Sequence, residues 1–344
     1  MTPFNVATIA PHDDEQAHDP ATDRRYMELY TALVDATRLD LLPKAKPLIE
    51  DVLMQDSISW LHGKPGHAKS FIALDWACCV ATGQQWRHHP TEHGKVLYVV
   101  AEGAQGMHER RQAWEITNNV EIPAGQLLFL PVAVQMLKDL DVAVMAMIAA
   151  ELRPALVVLD TQARVTVGAD ENSSRDMGLY VASVDQLRFA SKACILTVHH
   201  EARAGDSLRG STALEGAATT VIRATKDGAL VRLDNTKQKD GPEFDPILTR
   251  LEAVKLPVGS SAAMFHDPVE LSTIGRESEF QLLALLRDSF GTTGASSTVL
   301  REAADMPKTT FHRAVNALVN KGLVINAGSR SRTCYIVKDM EELQ

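Results

Sequence analysis

Six stretches of the chain are short, nearly unbroken apolar runs: SISWLHG (57–63), GKVLYVVAE (94–102), LLFLPV (127–132), ALVVLD (155–160), ACILTVHH (193–200) and ATTVIRAT (218–225). Most are separated by segments with apolar residues at every third or fourth position, such as SFIALDWACCVATG (70–83), LDVAVMAMIAAEL (140–152) and RDMGLYVASVDQLRFAS (175–191). Runs without alternation predict strands buried on both faces, and helices between them predict a mainly parallel sheet covered on both sides. The fold class that follows is α/β. Further on, GALVRLDNTKQKDGPEFDPILTRLEAV (228–254) predicts two strands joined at the turn Asp240-Gly241-Pro242 and therefore antiparallel.

The same pattern divides the chain. Residues 1–25 have little apolar periodicity and carry Asp13, Asp14, Glu15 and Asp19 before Arg24, so they read as a flexible acidic arm. The alternation of runs and helices assigns 26–252 to a core, and 253–276 mix Pro, Gly and Ser without a clear period, as a linker containing at most a short strand does. In 277–344, the helical patterns ESEFQLLALLRDSFG, SSTVLREAAD and PKTTFHRAVNALVNKGL precede a strand, a polar turn and a strand. Three helices and a hairpin in so short a span predict a small C-terminal winged-helix domain.

Composition narrows the class. With 344 residues and 45% hydrophobic content the chain fills a sizeable core in roughly two domains. A net charge of −9 argues against a protein coated in nucleic acid, yet residues 300–338 hold seven bases and two acids, a local +5 that suits contact with DNA. No apolar run reaches membrane-spanning length and the N-terminus lacks the basic start and apolar core of a signal peptide, so a cytoplasmic protein without membrane attachment is expected. Cys78, Cys79, Cys194 and Cys334 have no Cys-x-x-Cys spacing and read as free thiols.

Candidate chemistry begins at WLHGKPGHAKSFIALDW (60–76). Gly63, Lys64, Pro65, Gly66, His67, Ala68, Lys69 and Ser70 follow the phosphate-loop pattern Gly-x-x-x-x-Gly-Lys-[Ser/Thr], with Ala68 in place of the last glycine and Phe71 opening the helix behind it. Such a loop aims backbone N–H groups at phosphate oxygens, its lysine reaches the outer phosphates and its hydroxyl holds Mg²⁺. Ala68 costs on the order of 1 kcal/mol if the loop demands positive φ there, which weakens nucleotide binding about tenfold without abolishing it. Asp160, at the end of ALVVLD, is placed to act as the second magnesium-site residue, and Glu102, just past VLYVVA, to orient the attacking water. His199 and His200 end another strand on opposite faces. Such a pair is a poor chelate, but either histidine is placed to sense the outer phosphate.

Taken in order, GKPGHAKSFIALDWA, GKVLYVVAEG, LVVLDTQARVTVGADENSSRDM, ILTVHH, RGSTALEGAATTVIRAT and KQKDGPE resemble the RepA-like hexameric helicase ATPases of the RecA superfamily, found in plasmids and phages, across roughly residues 45–252. The resemblance implies a RecA-like phosphate-loop core, ATP and Mg²⁺ as cofactors, and a homo-oligomer, usually a hexameric ring, with ATP between neighbouring subunits. Lys69 and Ser70 would hold phosphates and Mg²⁺, Glu102 would be the catalytic base, Asp160 the Walker B acid, and His200 or His199 the sensor. Arg164, Arg203 and Arg209 would lie in loops lining a channel for single-stranded DNA. Lys237 and Lys239 would form the basic finger that enters a neighbour's site, although Lys239 stands where the family has arginine, and Arg209 or Arg223 could supply the missing guanidinium. In the winged helix, Lys308, Thr309, Thr310 and Arg313 would meet duplex DNA from the third helix and Arg330 and Arg332 from the wing, unless that domain docks protein instead. The function implied is a DNA helicase or translocase in replication or recombination. The alternative is a DNA-binding regulator or loader that uses ATP as a switch.

Overall fold

The computed structural model describes residues 19–42, 44–132, 134–201, 212–239, 241, 243–266, 277–290, 293–328 and 333–337. The chain forms two compact units, Met1–Lys44 and Ala45–Gln344. In the first, helix α1 (Pro20–Thr31) begins with Pro20, whose missing N–H costs nothing in a first turn, and Asp23 opposes the positive end of the helix dipole. Residues 20–25, expected in an arm, are thus helical, and 26–44 belong to this unit rather than to the core.

The second unit opens with an antiparallel ribbon, β1 (Pro47–Ile49) and β2 (Leu53–Met54). There follow β3 (Ile58–Gly63), α2 (Lys69–Thr82), β4 (Val96–Val100), α3 (Met107–Asn118), β5 (Leu127–Leu130), α4 (Asp139–Leu152), β6 (Leu156–Asp160), α5 (Gln162–Val165), α6 (Ser174–Ser191), β7 (Cys194–His200) and α7 (Thr212–Ala217). A run of strands completes the core: β8 (Thr220–Asp227), β9 (Leu230–Gln238), β10 (Ile247–Lys255) and β11 (Ser260–Phe265). One nine-stranded sheet has the order β11-β10-β9-β8-β3-β7-β6-β4-β5. The neighbours from β8 to β5 are parallel and the three pairs from β8 to β11 antiparallel. This is the RecA-like α/β core expected from the sequence.

Burial explains the unbroken runs. Successive residues of β4 feed two cores: Tyr98 and Val100 pack with α2, while Leu97 and Val99 pack with α4 and α6. Both faces are dry, so both parities are apolar. Helix α2 is buried on nearly every side and is anchored by Asp75, whose carboxylate accepts from Trp86 Nε1 at 2.7 Å and Trp114 Nε1 at 2.8 Å. A buried carboxylate held by two indoles fixes the helix that carries Lys69 and Ser70.

Residues 253–265 are sheet, not linker. β10 runs to Lys255, a tight turn closes with Leu256 N–H on Gly259 O at 3.2 Å, and β11 returns along β10. Its Ser-Ser-Ala-Ala start has weak strand propensity and hid the strand, but Ala263 packs with Val254, Leu256 and Ala113 of α3. C-terminally lie α8 (Glu277–Leu285), with a π turn to Phe290, α9 (Ser297–Ala303), α10 (Lys308–Asn320) and the antiparallel pair β12 (Val324–Asn326) and β13 (Tyr335–Val337). Their core, including Leu282, Leu286, Phe311 and Leu318, takes in Leu230 and Leu248 of the main sheet. Among the described residues no helix is long and apolar enough to cross a membrane.

Candidate functional site

The parallel strands β3, β7, β6 and β4 deliver their C-terminal ends to one edge, where an open α/β sheet binds ligands. Strand β3 runs straight into the loop 63–70. Gly63 is buried, and a Cβ there would stand 2.3 Å from the Ala224 carbonyl oxygen of β8, so only glycine lets the two backbones approach. Lys64, Pro65 and Gly66 are exposed, with Gly66 at φ 83°. His67 Nδ1 donates to Ala224 O at 3.2 Å and ties the loop to β8. Ala68 adopts φ 62° and ψ 12°, the left-handed conformation that glycine accepts without cost. The substituted position is therefore strained, as the sequence led us to expect.

Lys69 Nζ donates to Gly63 O at 2.8 Å and Lys64 O at 2.9 Å and lies 3.2 Å from His200 Nδ1. Burial lowers its pKa to about 8, and the charges of Asp160, Glu201 and Glu102 oppose that shift. Its neighbour Ser70 donates from Oγ to Asp160 Oδ1 at 3.2 Å, and the buried Tyr98 hydroxyl donates to Asp160 Oδ2 at 2.8 Å. Burial raises the Asp160 pKa, and the two hydroxyl donors work against it. Phe71 lies under the Arg110 guanidinium, 4.6 Å from its ring centroid, at the rim of the same site.

Pairing of β4 with β6 sets Val100 beside Asp160, and Ala101 N–H donates to Asp160 O at 2.8 Å. Glu102 thus emerges next to the buried acid, half exposed, with Arg164 Nε 3.7 Å from its Oε2. On the other side, β3 pairs with β7 so that Gly63 faces His200. His200 reaches the loop lysine, whereas His199 points to the opposite face and is buried. Below the loop, the buried Glu201 carboxylate accepts from Arg223 Nε at 2.7 Å and lies 3.2 Å from His62 Nδ1. Burial pushes the His62 pKa down to about 4.

These residues suit a nucleoside triphosphate. The first turn of α2 offers backbone N–H groups without intrahelical acceptors, beside a lysine and an open space over Gly66. Ser70 Oγ and Asp160 Oδ1 form an adjacent pair of hard oxygen donors, the type that magnesium takes. A family model described as AAA domain matches residues 23–206, more than half of the chain. The chain belongs to the AAA domain family. As an AAA domain protein it is a phosphate-loop ATPase that binds nucleotide. No curated protein matches its sequence.

The remaining sequence candidates are placed less uniformly. Arg223 is engaged by Glu201 of its own chain, and Lys237 Nζ donates to the Glu215 and Gly216 carbonyls at the end of α7. Lys239 is exposed, with its backbone N–H on Thr219 O. On α10 the side chains of Lys308, Thr309 and Arg313 are exposed and Thr310 is half buried. Arg203, Arg209, Arg330 and Arg332 lie outside the described residues. Sequence reading missed Tyr98, Glu201 and His62 as parts of the site. Only the polar atoms in otherwise apolar runs mark them.

Proposed function

We propose that the AAA domain protein is a Mg²⁺-dependent ATPase that acts on DNA as a ring-forming helicase or translocase in replication or recombination. The observation that carries the catalytic part is the convergence of Lys69, Ser70, Asp160, Glu102 and His200 on one sheet edge. Lys69 turns from the loop carbonyls to the outer phosphates, the amides of the loop hold the inner ones, and Ser70 with Asp160 would hold Mg²⁺. That ion, when bound, neutralises charge on the phosphate oxygens. Tyr98 keeps Oδ2 of Asp160 directed inward so that Oδ1 stays with Ser70. Glu102 takes the proton of the attacking water, and His200, released by Lys69, reports the phosphate's presence to β7.

The exposed Lys239 supports completion of the site by a neighbouring copy, its ammonium serving as a point charge where a guanidinium would be bidentate. Support for duplex contact comes from α10: its buried stripe is Phe311, Ala314, Val315 and Leu318, and Thr309, His312, Arg313 and Asn316 face outward on the other side. The three helices, the hairpin and the bridge of Ala295 to Tyr335 fit a winged helix. The left-handed Ala68 favours a second reading, a regulator or loader that binds ATP as a switch and turns it over slowly. Steady-state ATPase with and without single-stranded DNA tests the proposal. Turnover stimulated by DNA is expected, and binding without DNA-stimulated turnover supports the switch.

A further inference from the structure

A cavity of about 380 Å³ opens beside the turn between β1 and β2, where Asp51, residues 87–89 and residues 243–248 meet. That volume is within the range of small-molecule sites. None of the lining residues belongs to the loop 63–70 or to the strand ends that carry Asp160 and Glu102, so the cavity is separate from the nucleotide site. Its wall is preformed. Trp86 N–H donates to His89 O at 3.0 Å and His89 N–H to Trp86 O at 2.9 Å, while Glu50 N–H donates to Pro90 O at 2.9 Å and ties this turn to β1. The His89 ring stacks on Trp86, with centroids 5.6 Å apart.

The lining combines three kinds of surface. Buried Ile247 and Leu248 and half-buried Phe244 supply an apolar base. His88 and His89, with ring centroids 4.3 Å apart, add aromatic faces, and burial lowers the His89 pKa, so that its ring stays neutral at neutral pH. Asp51, Glu243 and Asp245 are exposed at the mouth. Among the described residues Glu243 and Asp245 make no hydrogen bond or ion pair, and Arg87, the cation in the lining, is engaged through Nη1 by the Leu248 carbonyl. Three carboxylates against one engaged guanidinium attract positive charge. Apolar and aromatic surface beside them favours a cation that also has hydrocarbon to bury. We propose that this cavity binds an organic cation with an alkyl stem, an alkylguanidinium or alkylammonium, with its charge at Glu243, Asp245 and Asp51 and its stem against Phe244 and Leu248. An inorganic cation lacks the stem, and a nucleotide is repelled by the acids.

Calorimetric titration of the full chain with agmatine, which carries a guanidinium and an ammonium on a short alkyl stem, tests the site. Saturable binding is expected. Glu243→Gln with Asp245→Asn should weaken it about three- to tenfold, as the loss of two solvated ion pairs does, and Phe244→Ala about two- to fivefold. The two acids are exposed, so the thermal-unfolding midpoint of their double variant should match that of the wild type. Salt should weaken binding to the wild type more than to that variant. N-butylurea, similar in shape but uncharged, should bind more weakly than agmatine. Lys69→Ala should bind agmatine as the wild type does, because the loop takes no part. N-acetylarginine amide separates the sources of the cation: tighter binding than agmatine assigns the site to an arginine of a partner protein, and weaker binding assigns it to a free small cation. No saturable binding, or equal affinity in the wild type and both cavity variants, would overturn the proposal, since agmatine would then only sample the acidic surface. Loss of binding in Lys69→Ala would place the probe at the nucleotide site and overturn it as well.

Discussion

His200 Nδ1 stands 3.2 Å from Lys69 Nζ, so the end of β7 touches the lysine that closes the loop 63–70. The register that pairs Gly63 with His200 makes this contact, and strand alternation turns His199 to the other face. His200→Ala should lower kcat about 10- to 100-fold, the range for losing a hydrogen bond to a charged group, with a smaller effect on ATP affinity. His199→Ala should act on stability instead, because the ring is buried. Parallel kcat and thermal-unfolding measurements separate the two, and equal loss of kcat in both would refute the assignment of the sensor to His200.

Ala68 is the second test. At φ 62° an alanine is strained by about 1 kcal/mol relative to glycine, so Ala68→Gly should tighten ATP binding by up to about tenfold. Titration with a fluorescent ATP analogue reads this directly, and unchanged affinity would mean that nucleotide binding does not depend on relieving the strain.

Tyr98 donates the hydrogen bond that fixes Oδ2 of Asp160. Tyr98→Phe removes that donor from a buried carboxylate and should cost about 2 kcal/mol in stability. It should also raise the Mg²⁺ concentration needed for half-maximal ATPase several-fold. A magnesium requirement equal to wild type, in a folded variant, would show that Tyr98 serves packing alone.

Buried His62 predicts a pH effect on stability. Its folded pKa of about 4 lies below the ordinary 6.5, so between these values the unfolded chain binds the extra proton and stability rises with pH. From neutral pH down to about pH 5 the loss from this one group is about 2 kcal/mol. Urea unfolding of wild type and His62→Gln at the two pH values should show that part of the loss disappear in the variant. An identical pH slope would place the proton uptake elsewhere.

Much of the core was legible because burial on both faces writes itself as unbroken apolar runs, and the loop because Gly63, Gly66, Lys69 and Ser70 hold a spacing set by phosphate geometry. The acids followed from strand ends. What stayed hidden depends on register or on long-range contact. The choice of His200 over His199 needs the pairing of β3 with β7, and the bond of Tyr98 to Asp160 joins positions 62 residues apart. β11 read as no more than a short strand within a linker because its small residues carry little propensity and gain their place only by packing on α3. Leu230 and Leu248, which lie under the C-terminal helices, read in sequence as ordinary strand residues.

The central claim is hydrolysis of ATP at the edge where Lys69 and Glu102 converge, and it is tested most directly by measuring ATP binding and phosphate release side by side in Glu102→Gln and Lys69→Ala. Glu102→Gln should bind ATP as wild type does and release phosphate at least about a hundredfold more slowly, as loss of a general base requires. Lys69→Ala should lose phosphate release altogether, with binding weakened. Wild-type rates of phosphate release in either variant would contradict the account.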